Sequence, residues 1–305
     1  MSKVKVAIVG LGFGAEFIPI YQRHPDAELY AICQRNEESM NEIGDAFDVE
    51  RRFTSFEELL ADPDVDAIHI NSPIAAHGWM SLAALKAGKH AACTVPMATT
   101  VEECLEIAKA SAETGKKYMM METAVYGREF LYAKELVESG KLGKIQFMRG
   151  SHQQNMGLPG WPDYWYGFPP MHYATHAVSP LLSLAKTTAE YVVCHGSGTI
   201  SDEYAAKYNS PFAAETMTMK LRDSDLACEV TRSLFDTIRQ YRESFDVYGT
   251  KISFEWEQIA EEGAVIFSGF EDAERIEIPD FAHLLPDEIA PFTTGGVYDD
   301  EHEHT

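Results

Sequence analysis

Between residues 4 and 121 short apolar runs alternate with amphipathic segments. The runs are Val4–Val9, Leu29–Cys33, Ala67–Ile70, His90–Cys93 and Tyr118–Met121. None shows the every-second-residue polarity of a half-exposed strand, so each predicts a strand covered on both faces. The intervening segments carry helix punctuation. Thr100 followed three residues later by Glu103, with Gly115 beyond, predicts a helix over Val101 to about Thr114. Ala83, Ala84, Leu85 and Ala87 ahead of Gly88 close another in the same manner. Such alternation predicts an α/β domain built on a doubly wound parallel sheet.

After Leu142-Gly143 the texture changes. A stretch rich in aromatic residues, Pro and Gly runs from Gly157 to Pro170, and long alternating runs follow, such as Glu215-Thr-Met-Thr-Met-Lys-Leu and Phe245-Asp-Val-Tyr. They predict a C-terminal α+β domain with an open, mostly antiparallel or mixed sheet. The expected domains are residues 1–122 and 123–305. An open sheet is a natural face for a homodimer or homotetramer.

Composition narrows the partners. The 305 residues exceed what one core usually serves, and 45% apolar with 24% charged content is that of a globular protein. A formal charge of −23 repels nucleic acid and anionic lipid, leaving small molecules as the expected partners. No apolar run approaches the ~18 residues that span a bilayer. Met1-Ser2-Lys3 leads into a strand instead of a signal peptide, so a cytoplasmic location is expected. Cys33, Cys93, Cys104, Cys194 and Cys228 form an odd, scattered set without a Cys-x-x-Cys pair, which predicts neither a disulfide framework nor a metal site. The acidic tail with His302 and His304 is expected to be a solvated terminus.

Chemistry is first signalled at the end of Val4–Val9. The following Gly10-Leu11-Gly12-Phe13-Gly14-Ala15 fits G-x-G-x-x-G/A, in which Gly10 permits a tight turn, Gly12 admits a pyrophosphate and Ala15 lets a helix pack closely. About 20 residues on, where an acidic side chain usually holds the adenosine ribose, stand Gln34 and Arg35. Gln34 can still bond a hydroxyl, and the missing acid removes repulsion of a 2′-phosphate, so NAD and NADP both stay open. Both residues could equally belong to a surface loop. Asn71, Ser72 and Pro73 follow a strand at its carboxyl end and are candidate cofactor neighbours, and His77 is either another or an exposed residue at a helix start.

Gly88-Lys89-His90 followed by Cys93-Thr94-Val95-Pro96-Met97-Ala98-Thr99-Thr100 resembles the GKHVLCEKPMATT segment of the Gfo/Idh/MocA oxidoreductases. Gly140-Lys141-Leu142-Gly143-Lys144-Ile145 matches their next hallmark. The resemblance covers most of the chain. It implies an N-terminal Rossmann domain, a C-terminal open-sheet domain and NAD- or NADP-dependent oxidation of sugar or polyol hydroxyls, with Thr94, Val95 and Pro96 among the cofactor-binding residues. The family's Glu-Lys-Pro is Thr94-Val95-Pro96 here, and valine cannot take the hydroxyl proton that the lysine normally helps to move. Relatives continue for tens of residues past the equivalent of Thr305, so a truncated form is expected.

The Val-Pro variant, Glu102-Glu103-Cys104, Met119-Met120-Met121-Glu122, Tyr126 and Arg128 are similar to one branch, the NAD-dependent glycoside hydrolases of the α-N-acetylgalactosaminidase type. That branch has a Tyr-Pro-Thr-His segment, here Tyr173-Ala174-Thr175-His176 with Pro180 beyond. The likeness implies redox-neutral catalysis in which oxidation, elimination, hydration and re-reduction follow one another. It implies Glu122 near the nicotinamide, Tyr173 and His176 as substrate-binding and acid/base groups, and His152 in place of a tyrosine of the branch. Glu122 can also be read as a structural carboxylate. His172 and His176 would lie one turn apart on a helix starting near Met171, one of them packed. Trp161, Tyr164, Trp165, Tyr166 and Phe168 either stack on a sugar or form a loop packed on itself. A protein that binds nucleotide and ligand without turnover is the remaining alternative.

Overall fold

A computed structural model describes residues 2–239 and 241–290. The tail carrying His302 and His304 lies outside the described residues. The described residues form two compact units, 122–280 and 2–121 together with 281–290.

The first unit is a six-stranded parallel sheet of β1 (Val4–Val9), β2 (Ala27–Cys33), β3 (Arg52–Phe53), β4 (Ala67–Ile70), β5 (His90–Thr94) and β6 (Tyr118–Met121). Its order is β3-β2-β1-β4-β5-β6. Successive side chains of β1 point to opposite faces, so the sheet has two cores. Ile8 packs with Leu11, Ile18, Ile32 and Met40, whereas Ala7 and Val9 join Leu59, Ile68, Leu85 and Ile107. This double burial is why the inner strands read as continuous apolar runs, whereas β6, expected to be covered on both faces, lies at the sheet edge with Met119 exposed. Strand β3, only two residues long, leaves no such run. The helix Val101–Thr114 has the expected caps: Thr100 Oγ1 accepts from the Glu103 amide at 3.2 Å, and Gly115 takes φ +67°. Glu103 returns to the Thr100 hydroxyl at 3.1 Å.

The second unit is an eight-stranded sheet of β7 (Ile145–Gln153), β8 (Ala189–Ser197), β9 (Ala214–Leu221), β10 (Ala227–Ser233), β11 (Arg242–Gly249), β12 (Ser253–Glu255), β13 (Ala264–Phe267) and β14 (Ala273–Ile276). Their order is β14-β13-β12-β11-β7-β10-β9-β8. The β7–β10 pair is parallel and the other pairs are antiparallel, so the sheet is mixed. The helix Thr175–Ala185 packs on β7, β10 and β11. It begins at Thr175 and not near Met171, because Pro170–Tyr173 form a separate 3₁₀ turn. His172 is therefore exposed, off the face that carries His176.

Close approach of that helix to the sheet depends on Gly150 of β7. A Cβ there would lie 2.0 Å from the Ala177 carbonyl oxygen. No helix among the described residues is long and apolar enough to cross a membrane.

A Gly150→Ala substitution should lower stability by about 1–3 kcal/mol, since backbone cannot yield to the added methyl as a flexible side chain would. Thermal unfolding beside Gly12→Ala, where a Cβ meets nothing within 4 Å, checks this. Equal melting of the two variants would contradict the packing account.

Candidate active site

Strand register assembles the site of the second unit. His152 on β7 pairs with Arg232 on β10 and with Glu243 on β11, so three ionisable side chains stand in one rung across three neighbouring strands. Each sits in phase with the inward apolar positions of its strand: Met148 and Gly150 before His152, Cys228 and Val230 before Arg232, Phe245 and Val247 after Glu243. His152 and Arg232 are wholly buried. Over this rung the helix Thr175–Ala185 brings His176, whose ring centroid lies 5.1 Å from that of His152.

Glu122 completes the group. It follows β6 directly, caps the Thr123–Val125 turn by accepting from the Ala124 amide at 3.0 Å, and is 4% exposed. The same oxygen, Oε1, lies 2.5 Å from His176 Nδ1. A carboxylate only accepts, so Nδ1 carries the proton and Nε2 is the nitrogen left for exchange. Nε2 faces the Tyr173 hydroxyl at 3.2 Å. Glu122, His176 and Tyr173 thus form a chain of carboxylate, imidazole and phenol. Glu243 Oε1 lies 3.5 Å from His152 Nε2 and 3.8 Å from His176 Nε2, and accepts from the Tyr241 hydroxyl at 3.0 Å.

The surroundings drive the two imidazoles apart. Burial pushes His152 well below the usual histidine range, and the charges of Arg232 and His176 push the same way. Burial also opposes charge on His176, but the Glu122 hydrogen bond and the carboxylates Glu243 and Glu122 outweigh it and raise its pKa. Arg232, desolvated and bonded to neutral oxygens, is pushed down to about 9. Those oxygens are the carbonyls of Tyr173 at 2.8 Å, His152 at 3.1 Å and Ser233 at 2.6 Å, and Gln154 Oε1 at 2.6 Å. Burial raises the phenols of Tyr173 and Tyr241.

All four candidate catalytic residues, Glu122, His152, Tyr173 and His176, therefore meet in one unit. Sequence reading missed Arg232, Tyr241 and Glu243. The available signal was a charge in phase with apolar residues on an alternating strand, as in Cys228-x-Val230-x-Arg232. The aromatic segment packs partly on itself, with the buried Trp165 ring 5.3 Å from Tyr164 and 5.6 Å from Phe168, and partly on its neighbours, with Trp165 4.9 Å from Tyr173 and Tyr166 stacked on Tyr204 at 5.0 Å.

In the first unit the residues named as cofactor-binding cluster at the carboxyl ends of β1, β2, β4 and β5. Gly10 has φ +84°, and a Cβ on it would stand 2.6 Å from the Asn71 carbonyl oxygen. Gly12 opens on free space, Phe13 is exposed and Gly14 is buried. Gln34 is half-buried and Arg35 exposed. Both side-chain polar atoms of Asn71 and the Ser72 hydroxyl are buried without a hydrogen-bond partner, as expected where a ligand supplies the partners. Pro73 is exposed beside them. These features fit a dinucleotide.

His77 is buried, not exposed at a helix start. Its Nδ1 lies 2.7 Å from the Pro96 carbonyl and its Nε2 2.8 Å from that of Ser72, so it braces the two loops. Burial lowers its pKa against the pull of both carbonyls. Thr94 Oγ1 donates to the Ile70 carbonyl at 3.2 Å, and Val95 and Pro96 are buried.

Residues 4–122 match the model of an oxidoreductase family with an NAD-binding Rossmann fold. The α-N-acetylgalactosaminidase of Shewanella oneidensis is 26% identical over 258 residues, 77% of this chain and 56% of that protein. The chain thus spans about half the length of the curated relatives it matches. An NAD-binding oxidoreductase from Klebsiella pneumoniae has a similar fold, with TM-score 0.76, 20% identity, and coverage of 90% of this chain and 79% of that one. Myo-inositol 2-dehydrogenase from Lactobacillus plantarum does so at TM-score 0.75 and 18% identity, covering 95% and 87%.

A Gly12→Val chain should fold, because the side chain enters open space, and should lose affinity for NAD and NADP alike; calorimetry with unchanged affinity would refute the pyrophosphate placement. Gln34→Asp should raise the NADP-to-NAD ratio of dissociation constants through ribose bonding and phosphate repulsion, and an unaltered ratio would put this loop away from the adenosine.

Proposed function

We propose, from the match of residues 4–122 to an oxidoreductase family with an NAD-binding Rossmann fold, that the chain is an NAD(P)-dependent enzyme of the Gfo/Idh/MocA type acting on a hydroxyl of a sugar or polyol. The observation that carries the reading is the chain of Glu122, His176 and Tyr173, which offers a proton-exchanging nitrogen in a sequence that has Val95 in place of the lysine of its relatives. Gly10, Gly12, Asn71, Ser72 and Gln34 would hold the cofactor, which when bound supplies hydride transfer to and from a substrate carbon.

What remains for the protein is the proton. Neither Thr94 nor Val95 is an efficient base near neutral pH. His176 Nε2 takes or returns the hydroxyl proton, directly or through the Tyr173 hydroxyl, while Glu122 fixes the ring and stabilises the imidazolium. Arg232 holds the Tyr173 backbone and sits 5.3 Å from its ring centre, which keeps the phenol in place.

A second reading, redox-neutral glycoside cleavage, is favoured by the neighbouring imidazoles of His152 and His176 together with the likeness to the α-N-acetylgalactosaminidase. It needs one group to remove a C–H proton and another to protonate the leaving glycosidic oxygen, and two imidazoles supply both. The wider proposal is a cytoplasmic homodimer or homotetramer associated through the second sheet, whose strand β8 exposes Tyr191, Val192 and Val193.

Incubation with sugars and aryl glycosides, following absorbance at 340 nm together with aglycone release, separates the chemistries. Net reduction of cofactor supports the first, and release without it the second. His176→Ala should reduce turnover by ~10²–10⁴-fold while NAD binding persists. Full activity in that variant would remove His176 from the mechanism, and cofactor binding without turnover of any sugar would leave only a binding protein.

A further inference from the structure

We propose that His152, His176 and Glu243 form a binding site for one divalent transition-metal ion of the zinc type. The donor atoms of the three side chains lie within 4.8 Å of one another. Glu243 Oε1 stands 3.5 Å from His152 Nε2 and 3.8 Å from His176 Nε2. Donors held tetrahedrally at about 2.1 Å from an ion stand about 3.4 Å apart, so small side-chain rotations close the shell. Two imidazoles and one carboxylate on one side of an ion leave further positions open.

Two observations point to a ligand here. His152 is wholly buried, yet neither ring nitrogen has a hydrogen-bond partner, and its Nε2 is turned toward Glu243. His176 has the carboxylate support typical of a metal-bound imidazole, with Glu122 on Nδ1 leaving Nε2 for the ion. Cysteine spacing gave no hint of this, because the ligands are contributed by β7, β11 and the helix Thr175–Ala185.

The consequence rests on the functional reading above. An ion on His176 Nε2 takes the atom that exchanges the substrate proton, so zinc inhibits turnover and a chelator restores it.

Calorimetric titration of the purified chain with zinc chloride tests the site without any turnover. One zinc ion per chain is expected. Glu122→Gln, which removes only the support behind His176, should weaken binding ~10–100-fold, and His152→Gln and Glu243→Gln at least as much. A chain with His302 and His304 replaced by Ala should bind as before. Absence of binding, or wild-type affinity in both His152→Gln and Glu243→Gln, would overturn the site, as would loss of binding with the tail histidines alone. Cobalt(II) added to the unaltered chain needs no variant: visible bands of low-coordinate cobalt support the site, and the spectrum of the hydrated ion refutes it. Zinc binding by a chain that acts on no sugar would keep the site and discard the functional reading. Sugar turnover by a chain that binds no zinc would do the reverse.

Discussion

Burying charge inside a sheet is the constraint around which the second unit is arranged. Each buried ion costs several kcal/mol unless hydrogen bonds replace its water, and Arg232 recovers that cost through three carbonyls and the Gln154 amide oxygen. The same bonds tie β7, β10 and the Tyr173 backbone together. Because side chains alternate with a period of two, a slip of one residue between β7 and either neighbour would turn Arg232 or Glu243 to the opposite face. Register and site are therefore one property.

The site's chemistry follows from that frame. Glu122 follows the edge strand β6 and His176 stands in the first turn of a helix, and the approach allowed by Gly150 sets the imidazole over the rung. Burial, and after it the charges of Arg232 and His176, hold the His152 pKa down, while the Glu122 hydrogen bond and the carboxylates Glu243 and Glu122 raise that of His176. Two identical side chains thereby acquire different proton affinities from position alone, a common basis for dividing acid from base. Valine at position 95 cannot exchange a proton, whereas this pair can.

The first unit works on a different principle. The residues proposed to hold a dinucleotide lie on loops at strand ends, with backbone approach at Gly10 and unmatched polar atoms on Asn71 and Ser72. His77 was legible as a loop residue but not as a brace, since its two carbonyl partners lie 5 and 19 residues away in the chain.

What the sequence determined by itself was local: the five apolar strands of the first unit, the caps of the helix Val101–Thr114, the Gly-rich turn after β1 and the family motifs. Each is specified by contiguous residues whose periodicity or backbone freedom acts over one element. The identities of Glu122, His152, Tyr173 and His176 as candidates were also legible, through resemblance. Only the tertiary structure decided that they meet, that Glu243, Tyr241 and Arg232 join them, and which imidazole is held neutral. His152 and Arg232 are 80 residues apart, and their adjacency comes from strand order and register, which depend on the burial of every inward side chain at once.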